Sequence, residues 1–175
     1  MSLFKTKPMP SMEYLNSILE LKDGLLYNKI TRNSHCVKGT LAGSKQGNYR
    51  LIMMHKKAYL VHRITYYMSY GTCPDYVDHI DGNPQNNHID NLRQATRSEN
   101  QWNQGLNKLN TSGVKGLSWA KKCNKWLACI HHNGKNRNLG YFETKELGAE
   151  FLHLARELLH GDYANHGLKE NIPCH

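Results

Sequence analysis

Long apolar runs are missing from this chain. No stretch of about 18 apolar residues occurs, which excludes a membrane-spanning helix. Met1 to Pro10 carries lysines but no apolar centre, so no secretory leader is expected. Paired cysteines are missing too. Cys36, Cys73, Cys123, Cys129 and Cys174 are scattered, odd in number and without any C-x-x-C, which argues against a disulfide framework or a standard zinc ribbon. A reducing, cytoplasmic setting is the expectation, and in it the Asn110-Thr111-Ser112 sequon carries little meaning. Acidic residues are scarce: 14 Asp+Glu stand against 23 Lys+Arg, a formal charge of +9. That balance favours a polyanionic partner, because each neutralised phosphate releases counterions; a merely solvated basic surface is the plain alternative. Hydrophobic residues make up only 39% of 175, which suits two compact modules better than one large core.

Periodicity places the elements. MEYLNSILEL (12–21) sets Met12, Leu15 and Leu19 on one helical face, and LLYNKIT after Asp23-Gly24 reads as a strand. Gly39, Gly43 and Gly47 mark a loop-rich connection. A hairpin follows, from Tyr49–Met54 to Ala58–Val61 across His55-Lys56-Lys57. Residues 62–70 turn helical, with Ile64, Tyr67 and Met68 on one side, and end at Gly71 and Pro74. Residues 104–112 are polar and rich in Gly and Asn, as a linker would be. Beyond them the pattern reads strand, strand, strand, helix: 116–120, 125–132, then 135–141 after the Asn133-Gly134 turn. The helix is capped by Thr144, has Leu147, Phe151, Leu154 and Leu158 as its apolar face, and stops at Gly161.

The informative block is VDHIDGNPQNNHIDNLRQATRSENQWN (77–103). Tyr76 to His79 can be a short strand ending in a carboxylate and an imidazole. Ten turn-forming residues follow, and Ile89 and Leu92 can anchor a return strand with Asn91 between them. Thr96-Arg97-Ser98-Glu99 has the form of a capping box, so Asn100 falls in the first turns of a helix. Asp78 and Asn100 then offer two hard oxygen donors, which select Mg²⁺ or Mn²⁺ over zinc. His79, pointing to the other strand face, can deprotonate a water near neutral pH. The chemistry that needs such a set is hydrolysis of a phosphodiester.

This block resembles the catalytic motif of HNH homing endonucleases, in the subgroup whose last histidine is asparagine. The resemblance implies a ββα-metal fold around one divalent cation, Mg²⁺ or Mn²⁺. It makes Asp78 and Asn100 the metal ligands, His79 the general base and Asn91 the residue that orients it. It also implies cleavage of double-stranded DNA to 5′-phosphate and 3′-hydroxyl ends. His62-Arg63 resembles the family's upstream helix, with Arg63 as a phosphate contact and His62 structural. Arg93 either holds the loop or touches phosphate.

Residues 113–165 resemble the apetala/ethylene-response-factor DNA-binding domain, through Gly113-Val114-Lys115-Gly116-Leu117, Lys125-Trp126-Leu127-Ala128-Cys129-Ile130 and Leu139-Gly140-Tyr141-Phe142. Alternation puts Trp126, Ala128 and Ile130 on one face, toward Phe151 and Leu154, and Lys125, Cys129 and His131 on the other. Lys115, Ser118, Trp119, Lys121, Lys122, Asn136 and Asn138 are further DNA-contact candidates on that open side. Where the plant domains carry arginines, this chain has Ser118, His131 and Asn136. The reading is thus an α+β protein: an HNH nuclease domain over 1–103, a linker over 104–112, a DNA-recognition module of three antiparallel strands and a helix over 113–165, and a tail. It would act as a monomer on DNA, without a membrane, in the bacterial host of a phage or mobile element. A DNA-binding regulator with a vestigial HNH fold is the alternative. A zinc-binding structural protein built on Cys123, Cys129, His131 and His132, or on Cys73 with His79, is another.

Overall fold

A computed structural model describes residues 8–167, and the chain divides into two compact units at Thr96/Arg97. Among the described residues no helix is long and apolar enough to cross a membrane.

The first unit opens with α1 (Met12–Ile18), whose free N-terminal amides are met by Ser11: its Oγ accepts from the Tyr14 amide at 3.2 Å. The helix ends sooner than its apolar spacing suggests. Leu19 is already extended, and Leu19–Lys22 is strand β1, paired with β2 (Leu25–Asn28). The cause is the Asp23-Gly24 turn, with both residues at positive φ, which closes a hairpin and takes Leu19 and Leu21 into strand alternation. A second sheet has the order β3-β4-β5, formed by Ser44–Gln46, Tyr49–Met54 and Lys57–Leu60. Its β4–β5 turn uses His55 and Lys56, both left-handed although neither is glycine. β5 runs directly into α2 (Val61–Tyr70), which Gly71 ends at φ +72°. Leu15, Ile18, Leu19, Leu26, Ile52, Met54, Val61 and Ile64 make one core, with Tyr67 and Met68 packed against it. The last pair, β6 (Tyr76–His79) and β7 (Leu92–Ala95), is antiparallel with Asp78 opposite Arg93 and His79 opposite Leu92. Ile89 lies outside β7, in a one-turn 3₁₀ helix with Asp90 and Asn91.

The second unit begins with α3 (Arg97–Trp102) and includes residues 104–112. Its sheet has the order β10-β9-β8, built from Lys135–Phe142, Lys125–His132 and Leu117–Ala120. α4 (Lys145–His160) lies across it, with the Thr144 hydroxyl accepting from the Leu147 amide at 3.3 Å. Ala128 and Ile130 are buried on the helix side of the sheet, as alternation requires. The helix, however, does not present the expected leucines. Leu147, Phe151, Leu154 and Leu158 are exposed, and Gly148, Leu152, Arg156 and His160 are the buried positions. The approach distance decides this. A Cβ on Gly148 would come within 2.7 Å of Leu117 Cδ1, so α4 sits too close to the sheet for a leucine there, and the packed face is set by the glycine. Leu117, Ala128 and Leu152 form the core, flanked by Val114, Trp126, Leu139 and Phe142.

Candidate active site

Asp78 and His79 stand next to each other on β6 and point to opposite faces. The carboxylate turns toward β7, where Arg93 is its cross-strand partner. Both the Nε and an Nη of that guanidinium donate to Asp78 Oδ2 at 3.0 Å. The pair is largely screened from water, which strengthens charge-assisted bonds and fixes the carboxylate's direction. Arg93, left between loop and phosphate by the sequence, is thereby placed on the acidic residue of the motif.

The imidazole of His79 turns the other way, toward the buried His62 and the exposed ring of Tyr49. His62, on α2, meets it edge-on with centroids 4.7 Å apart, and Tyr49, on β4, lies 6.5 Å from it. Burial lowers the His79 pKa, opposed in part by Asn87 and by the charges of Asp81 and Asp78. His62 is pushed well below its ordinary value, first by burial and then by His79 and Arg63. Two adjacent imidazoles therefore remain neutral at neutral pH, the form in which a histidine can accept a proton. The side chain that reaches His79 Nε2 is Asn87, whose Oδ1 lies 3.4 Å away.

Asn91 acts on the loop. Its Oδ1 accepts from the Asp81 amide at 3.0 Å, and its Nδ2 donates to Asp81 Oδ1 at 2.9 Å and to the Asn86 carbonyl at 2.8 Å. Asp81 in turn accepts from the Asn83 amide and the Asn86 side chain, and Asn83 accepts from the Gln85 amide. This run of side-chain-to-backbone bonds gives a long connection one conformation. The loop carries Asn87, so Asn91 bears on His79 through the loop it holds. Asn100 lies on α3, the first element of the second unit.

Arg63 reaches back from α2 to donate to the Asp75 carbonyl at 2.7 Å and to Cys73 Sγ at 3.0 Å, and so fixes the chain entering β6. Asn87 and Tyr49 are neighbours of His79 that the sequence reading did not name, and His62, read there as structural, also lies against it. Asn87 is one of eight asparagines from 83 to 110 with nothing local to single it out. His62 and Tyr49 arrive from elements remote in sequence.

In the second unit the candidate DNA contacts fall into several environments. Lys121 and Lys122 are exposed in the β8–β9 turn, and Ser118, Asn136 and Asn138 are exposed on their strands. Lys125 pairs with Glu143 at 2.7 Å. Lys115 is turned inward: its Nζ donates to the Trp102 and Gln104 carbonyls, both at 2.6 Å. Burial, with repulsion from Arg156, takes its pKa down to about 8. Arg156 donates to the Lys115 carbonyl. With His131, Asn136 and His160 these two cations line a cavity of about 410 Å³. Trp119 sits opposite Trp126, ring to ring at 5.3 Å, and shares the face of Leu117. It is therefore on the helix side of the sheet and not on the open face, because the period of two places it with Leu117.

A β-hairpin that presents Asp-His at its end, a loop locked by asparagines and a helix after it define the class: an HNH endonuclease domain. The HNH endonuclease family model matches residues 59–102. Over 89 residues, 51% of the chain, it is 45% identical to Protein 3.8 of Escherichia phage T7, spanning 73% of that protein. It is 36% identical over 89 residues to the uncharacterized HNH endonuclease L560 of Acanthamoeba polyphaga mimivirus, spanning 45% of that one. No solved structure matches the chain significantly. The chain belongs to the HNH endonuclease family, and membership points to a nuclease acting on DNA.

Proposed function

We propose that the chain is a homing-type, sequence-directed endonuclease that hydrolyses phosphodiester bonds of double-stranded DNA with a single divalent cation, Mg²⁺ or Mn²⁺. The observation that carries this reading is the pairing on β6 of a carboxylate gripped by Arg93 with a buried, neutral imidazole. The donor chemistry fits a hard cation: Asp78 offers a carboxylate and Asn100 an amide oxygen, and magnesium is bound through few protein oxygens. Such an ion, held by these residues, supplies Lewis acidity at the scissile phosphate.

The chain's own groups do the rest. Arg93 keeps Asp78 oriented by gripping one of its oxygens. His79, contacted at Nε2 by Asn87, takes the proton of the attacking water. Asn91 supports that contact indirectly, through the loop that presents Asn87. The exposed Lys121 and Lys122 supply phosphate contacts in the second unit, and Ser118, His131, Asn136 and Asn138 supply contacts to base edges.

Nicking of supercoiled phage DNA under a titration of Mg²⁺ and Mn²⁺ tests the reading. Wild type cuts only with metal. Asp78→Ala and Asn100→Ala each require more metal for half-maximal rate. If both keep the wild-type metal dependence, the ligand assignment fails. If wild type does not cut under any metal, the enzymatic reading fails and binding alone remains.

A further inference from the structure

The second unit holds a group of metal-ligating side chains that the nuclease motif does not use. His153 and Glu157 are one turn apart on α4, and His166 follows the helix in the segment that folds back along it. One donor atom from each lies within 4.8 Å of the others. We propose that His153, Glu157 and His166 form a second metal site, for Zn²⁺ or a similar imidazole-preferring transition ion, which pins the segment 164–166 to α4.

Spacing is the first support. Residues at i and i+4 share a helix face, so His153 and Glu157 already converge. Zinc takes His nitrogens and carboxylate oxygens at about 2.0–2.2 Å, so ligands around one ion stand about 3.5 Å apart. His153 and Glu157 are exposed, and changes of rotamer can bring their donors from 4.8 Å to that separation. His153 and His166 lie ring on ring with centroids 3.8 Å apart, and the exposed His153 ring turns about its χ angles to aim its in-plane lone pair at the ion.

His166 already bonds Glu157 Oε1 at 2.7 Å through Nε2, while its buried Nδ1 has no partner. An ion in place of that shared proton would keep His166 and Glu157 as neighbours, with their donors opening from 2.7 Å to about 3.5 Å and His153 turning in to complete the set. Two nitrogens and one oxygen favour Zn²⁺ over Mg²⁺, which prefers oxygen alone. The site is therefore distinct in chemistry from the nuclease centre. The segment it would hold is already docked, since Asn165 Nδ2 donates to the Asn103 carbonyl at 2.8 Å, so little ordering entropy opposes closure.

The test uses the full chain with its thiols alkylated, because Cys36, Cys73, Cys123 and Cys129 are free and would bind zinc themselves. Zinc bound per chain is measured against a chromophoric chelator in excess Mg²⁺, for wild type, His153→Ala, Glu157→Gln and the nuclease-centre variant His79→Ala. Wild type and His79→Ala are expected to bind one zinc more than His153→Ala, with Glu157→Gln weaker by about tenfold or more. Zinc should also raise the melting temperature of wild type and leave that of His153→Ala unchanged. Because His153 is exposed, its loss does not threaten folding. Equal zinc stoichiometry in wild type and His153→Ala, or zinc uptake abolished by Mg²⁺, overturns the proposal.

Discussion

A general base is useful only while it is unprotonated, and the surroundings of His79, the base in the proposed mechanism, keep it so. Burial disfavours the imidazolium, while Asn87, Asp81 and Asp78 restrain the shift. His79→Ala should lose about 10²–10⁴ in nicking rate and retain DNA binding, measured by gel shift beside the cleavage assay. A turnover within threefold of wild type would remove it from the mechanism. The sign of the pH dependence follows from burial. The lowered pKa moves the acid limb of kcat/KM below the ordinary histidine value of about 6.5, so the rate should be flat from about pH 7 upward. Asn87→Ala removes a neighbour that raises the pKa, so its limb should lie at still lower pH than that of wild type. A limb at higher pH would refute the role given to Asn87. The strand end that carries Asp78 and His79, and the return of the chain near Asn91, were legible in sequence because they rest on residues a few positions apart. Asn87 was not, because its importance comes from the loop's fold, and nothing in a run of asparagines distinguishes the one that turns inward.

Elements were legible where local rules agree and misread where two compete. The Asn133-Gly134 hairpin, the Thr144 cap and β9 follow from residues a few positions apart. α1 and β1 compete for the same leucines, and the Asp-Gly turn decides for the strand. In α4, counting large apolar residues selects Leu147, Phe151, Leu154 and Leu158, yet the contact is made through Gly148 because the helix comes so close. The same closeness governs Gly116. It has φ +78°, and a Cβ there would lie 2.3 Å from the Cys129 carbonyl oxygen, whose residue donates its amide to the Gly116 carbonyl at 2.8 Å. Gly116→Ala should therefore destabilise the protein by about 2 kcal/mol or more, combining left-handed strain with a backbone clash. Gly134 also has positive φ but nothing within 4 Å, so Gly134→Ala carries the strain alone and should cost about 1 kcal/mol. Chemical denaturation of the two variants compares them directly. Equal losses would show that the approach to Cys129 does not matter.

At the scale of the whole molecule, the net charge of +9 was the first sign of a polyanionic partner, but charge counted from sequence does not say which cations reach it. The structure separates them. Lys121 and Lys122 stand exposed in a turn, Lys125 is engaged with Glu143, and Lys115 gives its ammonium to two carbonyls inside the second unit. Each phosphate neutralised on B-DNA contributes about 0.9 to the slope of log Kobs against log salt. Lys121→Ala with Lys122→Ala should lower that slope by up to about 1.8, and should weaken binding to specific and unrelated DNA alike, because phosphate contacts carry no sequence information. Lys115→Met removes one unit of charge from the sequence and should leave the slope unchanged, while its loss of two hydrogen bonds, one of them part-buried, lowers stability by about 1–2 kcal/mol. Filter binding from about 50 to 200 mM salt distinguishes the cases, provided circular dichroism shows Lys115→Met to be folded. A slope that falls with Lys115→Met and not with the double variant would place the DNA on another face of the second unit, and the exposed β8–β9 turn would then have no part in holding it.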